Sequence, residues 1–130
     1  MLDPDPRRVA RGRAEHPDLR FVEAEAESLP FGPERFQRLV SLYSFHHFRD
    51  PMRVFAEAHR VLVPGGTFTI CDVIGRSWHA RIFQLLHRIS GHAAFPFRDP
   101  EELARGLRDA GFARVDRGTI GAHYRVTAIR

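Results

Sequence analysis

A chain of 130 residues is the size of one domain, and 43% hydrophobic with 28% charged residues excludes a disordered chain. All 20 basic residues are arginine, in no run longer than two, so the net charge of +4 reads as a solvated surface and nucleic-acid binding is not expected. One cysteine, Cys71, excludes an intramolecular disulfide and a Cys-based zinc site. No signal peptide or long apolar run is present, so a cytoplasmic protein without a membrane span is expected.

In chain order, Asp5-Pro6 opens a helix running to about Glu15, with Val9, Ala10 and Ala14 as a thin apolar face. Leu19 to Glu23 reads as a short strand, Gly32-Pro33 as a loop, and Arg38 to Tyr43 as the next strand. Asp50-Pro51 then caps a helix whose stripe is Met52, Phe55, Ala58/His59 and Leu62. Pro64-Gly65-Gly66 stops that helix, and Thr67 to Cys71 is a buried strand with Asp72 at its carboxyl end, where ligands bind in open α/β sheets. Cys71 reads as an inert core residue.

Arg76 to about Ser90 reads as a helix with Trp78, Ile82, Leu85/Leu86 and Ile89 inward, and His92 to Pro96 as a loop. Asp99-Pro100-Glu101-Glu102 is a capping signature for a helix that buries Leu103, Leu107 and Ala110 and closes at Gly111. Phe112 to Thr119 and His123 to Ile129 form a C-terminal antiparallel hairpin turned at Gly121. Adjacent residues on a strand point to opposite faces, so His46 and His47 do not share a metal from regular structure, and no metal site is expected. A catalytic base without an identifiable partner, and a hydrogen-bonding role in the loop, both stay open for these histidines; no catalytic residue is assigned.

Six stretches, in order, resemble class I S-adenosylmethionine-dependent methyltransferases, in particular the small-molecule group that includes the ubiquinone/menaquinone-biosynthesis type. Phe21 to Phe31 (FVEAEAESLPF) resembles the group's FVxGDAExLPF, and Phe36 to Val40 (FQRLV) its FDxVV, with Gln37 in place of the usual Asp. His46 to Pro51 (HHFRDP), Glu57 to Gly66 (EAHRVLVPGG), Pro100 to Leu103 and Ala110 to Phe112 resemble the later motifs. The resemblance implies a Rossmann-like α/β sheet with helices on both faces and strand order 3-2-1-4-5-7-6. This chain then lacks strand 1, most of strand 2 and the glycine-rich loop between strand 1 and the first helix, as an N-terminally truncated domain spanning 1–130.

The resemblance also implies S-adenosyl-L-methionine as cofactor and a small-molecule methyl acceptor. Asp3 falls on the ribose-binding position, where a carboxylate accepts from two vicinal hydroxyls. Glu25 and Ala26 fall beside the adenine, with Glu25 replacing the usual Asp, and Ser41 to His46 flank the methionine end. The segment 74–98, with Trp78, Phe83, His87, Phe95 and Phe97, falls on the substrate or lid region; an aromatic stripe at helical spacing also reads as core. Without strand 1, strand 4 (Arg38 to Tyr43) keeps an unpaired edge, which invites another strand. Three arrangements answer it: a fragment or misassigned start, direct pairing of strands 3 and 4, or a homodimer through the exposed edge. The enzyme reading stands beside a catalytically degenerate binding or assembly module and an RNA-binding Arg surface, the last testable by salt dependence.

Overall fold

The computed structural model describes residues 1–74 and 99–130. The elements in chain order are β1 (Leu2–Asp3), α1 (Pro6–Glu15), β2 (Val22–Glu23), β3 (Phe36–Leu42), a 3-10 turn (Phe45–His47), α2 (Pro51–Val61), β4 (Leu62–Val73), α3 (Pro100–Asp109), β5 (Arg114–Ile120) and β6 (His123–Ile129). Asp5, Asp50 and Asp99 each precede a proline in the first helical turn. Each carboxylate accepts a backbone N–H, from Arg7, Arg53 and Glu101 respectively. Three helices thus start by the same chemistry: an acidic cap satisfies an orphan donor and proline occupies a position that needs none.

β3, β4, β6 and β5 form one sheet in that spatial order. β3 runs parallel to β4, with Leu39 opposite Phe68 and Ser41 opposite Ile70. β6 is antiparallel to both β4 and β5. This is the 4-5-7-6 part of the expected order, closed by the expected hairpin. Phe68, Ile70, Val126 and Ala128 are buried with Val54, Phe55 and Ala58 of α2 and Leu103 and Leu107 of α3 in one core. On the alternate positions of β3, Val40 and Leu42 stay exposed.

β1 and β2 pair in parallel as a separate two-stranded piece, Leu2 opposite Val22 and Asp3 opposite Glu23. So Asp3 does sit on a strand, paired with β2. β2 does not pair with β3; a cavity of about 1130 Å³, lined in part by Leu2, Val22, Phe36 and Leu39, separates them. Among the described residues β3 therefore has a neighbouring strand on one side only.

Several local expectations are corrected. The strand expected over Leu19 to Glu23 contracts to Val22–Glu23, because Leu19 turns back on His16 and stays exposed. Ala10 and Ala14 are exposed and only Val9 of α1 is buried. Of the stripe expected for α2, Phe55, Ala58 and Leu62 are buried, joined by Val54 and Val61, while Met52 is 48% exposed. Pro64-Gly65-Gly66 does not end in a separate turn. It is a bulge within β4, where Gly65, at φ 77°, donates to Arg130 O and Arg130 N–H donates to Gly66 O. Cys71 is half-buried rather than a core residue, and β5 starts at Arg114, two residues later than expected. The helix expected at 76–90 and the loop at 92–96 lie outside the described residues.

Candidate active site

Parallel β3 and β4 bring their carboxyl ends to one side, and the buried polar residues among those described gather there: Ser41, His46 and Asp72. Beyond β3, Tyr43 takes a left-handed φ of 49° and its N–H donates to Cys71 O. The chain then winds into the short turn Phe45–His47. Phe45, fully buried, anchors it by stacking on Phe55 (5.5 Å, 14°) and meeting Phe48 edge-on at 5.1 Å. With Phe45 pinned into the core, the next residue, His46, faces the end of β4.

There the imidazole meets Asp72. His46 Nδ1 lies 2.8 Å from Oδ2 and 3.0 Å from Oδ1, and His46 N–H donates to Oδ2 at 3.1 Å. Val73 N–H donates to Oδ1 at 2.8 Å. Asp72 is 1% exposed and His46 9%. Burial alone pushes the Asp72 carboxyl up. The hydrogen bonds from His46 and from the Val73 and His46 amides, with the charge of an imidazolium, outweigh it and hold the carboxyl below its ordinary value. Ser41 Oγ and Ser44 Oγ are 2.9 Å apart beside this pair in sequence. The two histidines lie on one tight turn, with ring centroids 4.1 Å apart, not on opposite faces of a strand.

His46 thus has the partner that its sequence neighbourhood did not reveal. The signal was present in two halves, a polar turn after one parallel strand and an Asp ending the next. Only the β3–β4 register joins them across 26 residues.

The other expected site residues stand on the two-stranded piece. Asp3 ends β1; its Oδ1 accepts from Asp5 N–H at 2.8 Å, and Arg8 is 3.6 Å from Oδ2. Glu25 follows β2 and is exposed, and Ala26 packs partly against the core. The downstream loop is held from α2: Leu29 N–H donates to Glu57 Oε2 at 2.7 Å, while Arg60 donates to Phe31 O at 2.7 Å and Leu29 O at 3.1 Å. The hydrogen bond from Arg60, 2.7 Å from Oε2, leads the causes that lower the Glu57 carboxyl, against the opposing effect of burial. This clamp is the E-x-x-R part of the sequence motif, and its tie to residues 29–31 was not foreseen. The large cavity includes none of Asp3, Glu25, Ser41, His46 or Asp72. Trp78, Phe83, His87, Phe95 and Phe97 lie outside the described residues.

A family model described as "Methyltransferase domain" matches residues 1–70, so the chain belongs to that family, and its class is that of the S-adenosylmethionine-dependent methyltransferases. It is 33% identical over 127 residues to a 2-methyl-6-phytyl-1,4-hydroquinone methyltransferase of Spinacia oleracea, covering 95% of this chain and 35% of the relative. It is 35% identical over 128 residues to the erythromycin 3''-O-methyltransferase of Saccharopolyspora erythraea, covering 88% and 42%. The chain therefore spans less than half the length of these curated relatives. A crystal structure of a Thermotoga maritima S-adenosylmethionine-dependent methyltransferase, described as a possible histamine N-methyltransferase, matches with TM-score 0.86 at 21% identity. That match covers 98% of this chain and 71% of the other. It shows the fold.

Proposed function

We propose that the chain carries the nucleoside-binding and acceptor-activating parts of an S-adenosylmethionine-dependent methyltransferase whose acceptor is a hydroxyl group on a small molecule. The observation that carries this reading is the buried His46–Asp72 pair at the carboxyl ends of two parallel strands. Bound S-adenosylmethionine supplies a methyl group already activated by a sulfonium sulfur, so the protein's task is alignment and proton removal. His46 Nδ1 lies against the Asp72 carboxylate, which orients the ring in the manner of a general base. With cofactor and acceptor bound, His46 would take the acceptor's hydroxyl proton, and Asp72 would hold the ring and balance the charge it gains. An O-methyl-transferring relative and one named for a hydroquinone both fit an oxygen-bearing acceptor.

The described residues fit the nucleoside half of the cofactor. The Asp3 carboxylate is one-third exposed at a strand end, with lone pairs to spare beyond the Asp5 N–H it accepts, which suits a ribose diol. Glu25 is exposed beside Ala26, and the pair is assigned to the adenine by the resemblance. Ser41 and Ser44, with hydroxyls 2.9 Å apart, are assigned to the methionine end on the same ground. Trp78, Phe83, His87 and Phe95 are assigned to the acceptor pocket by the resemblance alone. Among the described residues no glycine-rich turn ends a strand on this side, since Gly65-Gly66 is tied to Arg130 in the bulge of β4. We place the protein in the cytoplasm, in keeping with its single cysteine; among the described residues no helix is long and apolar enough to cross a membrane.

Calorimetry with S-adenosylhomocysteine tests the cofactor half: a saturable one-to-one heat is expected, and none at millimolar ligand would sink it for this chain. With an acceptor in hand, His46→Gln is expected to lower kcat by about 10²- to 10⁴-fold while leaving S-adenosylhomocysteine affinity within a few-fold. A second reading, an assembly module, is favoured by one observation: β3 is a sheet edge with Val40 61% and Leu42 60% exposed. Light scattering separates them, because a dimer abolished by Pro at position 40 supports edge pairing and a monomer removes it.

A further inference from the structure

We propose that Glu27 is a positioning residue that links the nucleoside side of the cofactor site to the His46 turn. The inference rests on the methyltransferase reading above and adds to it the route by which its two halves sense each other. One oxygen of Glu27, Oε1, accepts from Arg49 N–H at 3.0 Å and from Asp50 N–H at 3.4 Å, 22 and 23 residues away. On its own segment Glu27 directly follows Glu25 and Ala26, the pair assigned to the adenine. On the far side, Arg49 and Asp50 follow the turn that carries His46, itself closed by His47 N–H to Ser44 O at 3.0 Å and Phe48 N–H to Phe45 O at 3.2 Å. One oxygen that accepts two successive amides ties the two segments together at a single point.

The surrounding contacts set Glu27 at the end of an anchored segment. Ser28 N–H donates to Glu25 O at 3.2 Å, closing a turn around Glu27. Two residues on from Glu27, Leu29 to Phe31 are held by Glu57 and Arg60 on the body of α2. Asp50 in turn caps α2 through Arg53 N–H at 3.2 Å. With the 29–31 end anchored, a ligand-driven shift of Glu25 and Ala26 is passed through the Glu27 carboxylate to residues 49–50, and so to the turn that presents His46 to Asp72. A displacement of about 1 Å at a reacting group is enough to change a rate by on the order of 10²-fold, so such a strut matters to proton transfer.

The test reads His46 directly and needs no acceptor. The His46 ring and the Ala26 amide are followed by NMR as S-adenosylhomocysteine is added to the full chain and to Glu27→Ala, Glu27→Gln and Glu27→Asp. In the unsubstituted protein both signals are expected to shift. Glu27→Gln keeps a carbonyl oxygen at the same reach and is expected to behave likewise. In Glu27→Ala, affinity stays within about tenfold and the Ala26 amide still shifts, but the His46 response falls to less than a quarter. Glu27→Asp, which withdraws the carboxylate by one methylene, gives an intermediate response and serves as the test should the alanine variant not fold. A full His46 response in Glu27→Ala or Glu27→Asp overturns the inference while leaving the methyltransferase reading intact. So does loss of binding altogether, which makes Glu27 a ligand contact, or a Gln variant as impaired as Ala, which makes it a charge effect. No binding by the unsubstituted chain overturns both.

Discussion

The two strand systems of this molecule are held together by different means. The four-stranded sheet is closed by apolar burial: Phe45, Phe55, Leu62, Ile70, Leu103, Leu107 and Val126 are all fully buried. The β1–α1–β2 piece buries only Val9. It is organised instead by polar contacts, such as Arg13 to Phe21 O at 2.9 Å and Val22 N–H to Met1 O at 2.9 Å, and by the Phe21 ring lying on Gly12. Two paired dipeptides are below the size at which strands are stable by themselves. The residues proposed as base and carboxylate thus belong to the part with the larger apolar core, and those proposed for the nucleoside to the part expected to open first. A ligand bridging both would contribute more to the second than to the first.

Perturbing the rigid part gives the largest effect. Phe55→Ala removes a ring that stacks on Phe45 and against which Gly106 packs closely. It is expected to cost about 3–5 kcal/mol in denaturant unfolding, and to release exchange protection throughout the sheet. A loss below about 1 kcal/mol would contradict the assigned core. Next comes Asp72→Asn, which replaces the carboxylate that accepts from the His46 ring and the His46 and Val73 amides, with an expected loss of about 1.5–3 kcal/mol. Its pH dependence has a definite sign. The folded carboxyl is lowered from an ordinary value of 3.8, so its contribution is present above that value and is lost as the pH falls through the lower folded one. The stability gap between the unsubstituted protein and Asp72→Asn should therefore narrow on acidification below about pH 4; a gap that widens there would refute the pairing.

The smallest effect is expected at the junction. Glu57→Gln weakens the clamp on Leu29–Phe31 and should cost about 1 kcal/mol or less globally, because the ion pair with Arg60 is partly exposed. Its signature is local: faster amide exchange at Leu29 with the β4 and β6 amides unchanged. If β4 and β6 amides accelerate equally, the two parts unfold as one and the contrast between them fails.

Much of this was legible in the sequence because it is local chemistry. Three Asp-Pro starts, the left-handed Gly111 and the alternating β6 each depend on residues within one turn or strand. The misses share a cause. Met52 was assigned inward from spacing alone, yet the phase of a helix is set by what it packs on. The PGG stretch reads as a stop, but Arg130, 65 residues after Gly65, makes it a bulge. At the site, Asp3, Glu25 and Ala26 are proposed from motif order. The joining of His46 to Asp72 and of Glu27 to Arg49 could not be read from that order, since each crosses between segments whose register only the folded sheet defines.

The pairing of β4 with β6 also governs when this domain can form during synthesis. β4 carries the core residues Phe68 and Ile70, yet one of its two neighbours is made well after it, with Thr67 opposite Ile129. Until residue 129 clears the ribosome, β4 has β3 on one edge and nothing on the other, and the apolar faces of α2 and β4 must wait in the open. Contacts of such sequence separation form slowly because the intervening chain loses entropy first. Nascent chains arrested before residue 123 are thus expected to recruit chaperones and resist compaction, whereas those arrested with residue 130 fully emerged should collapse to the folded sheet.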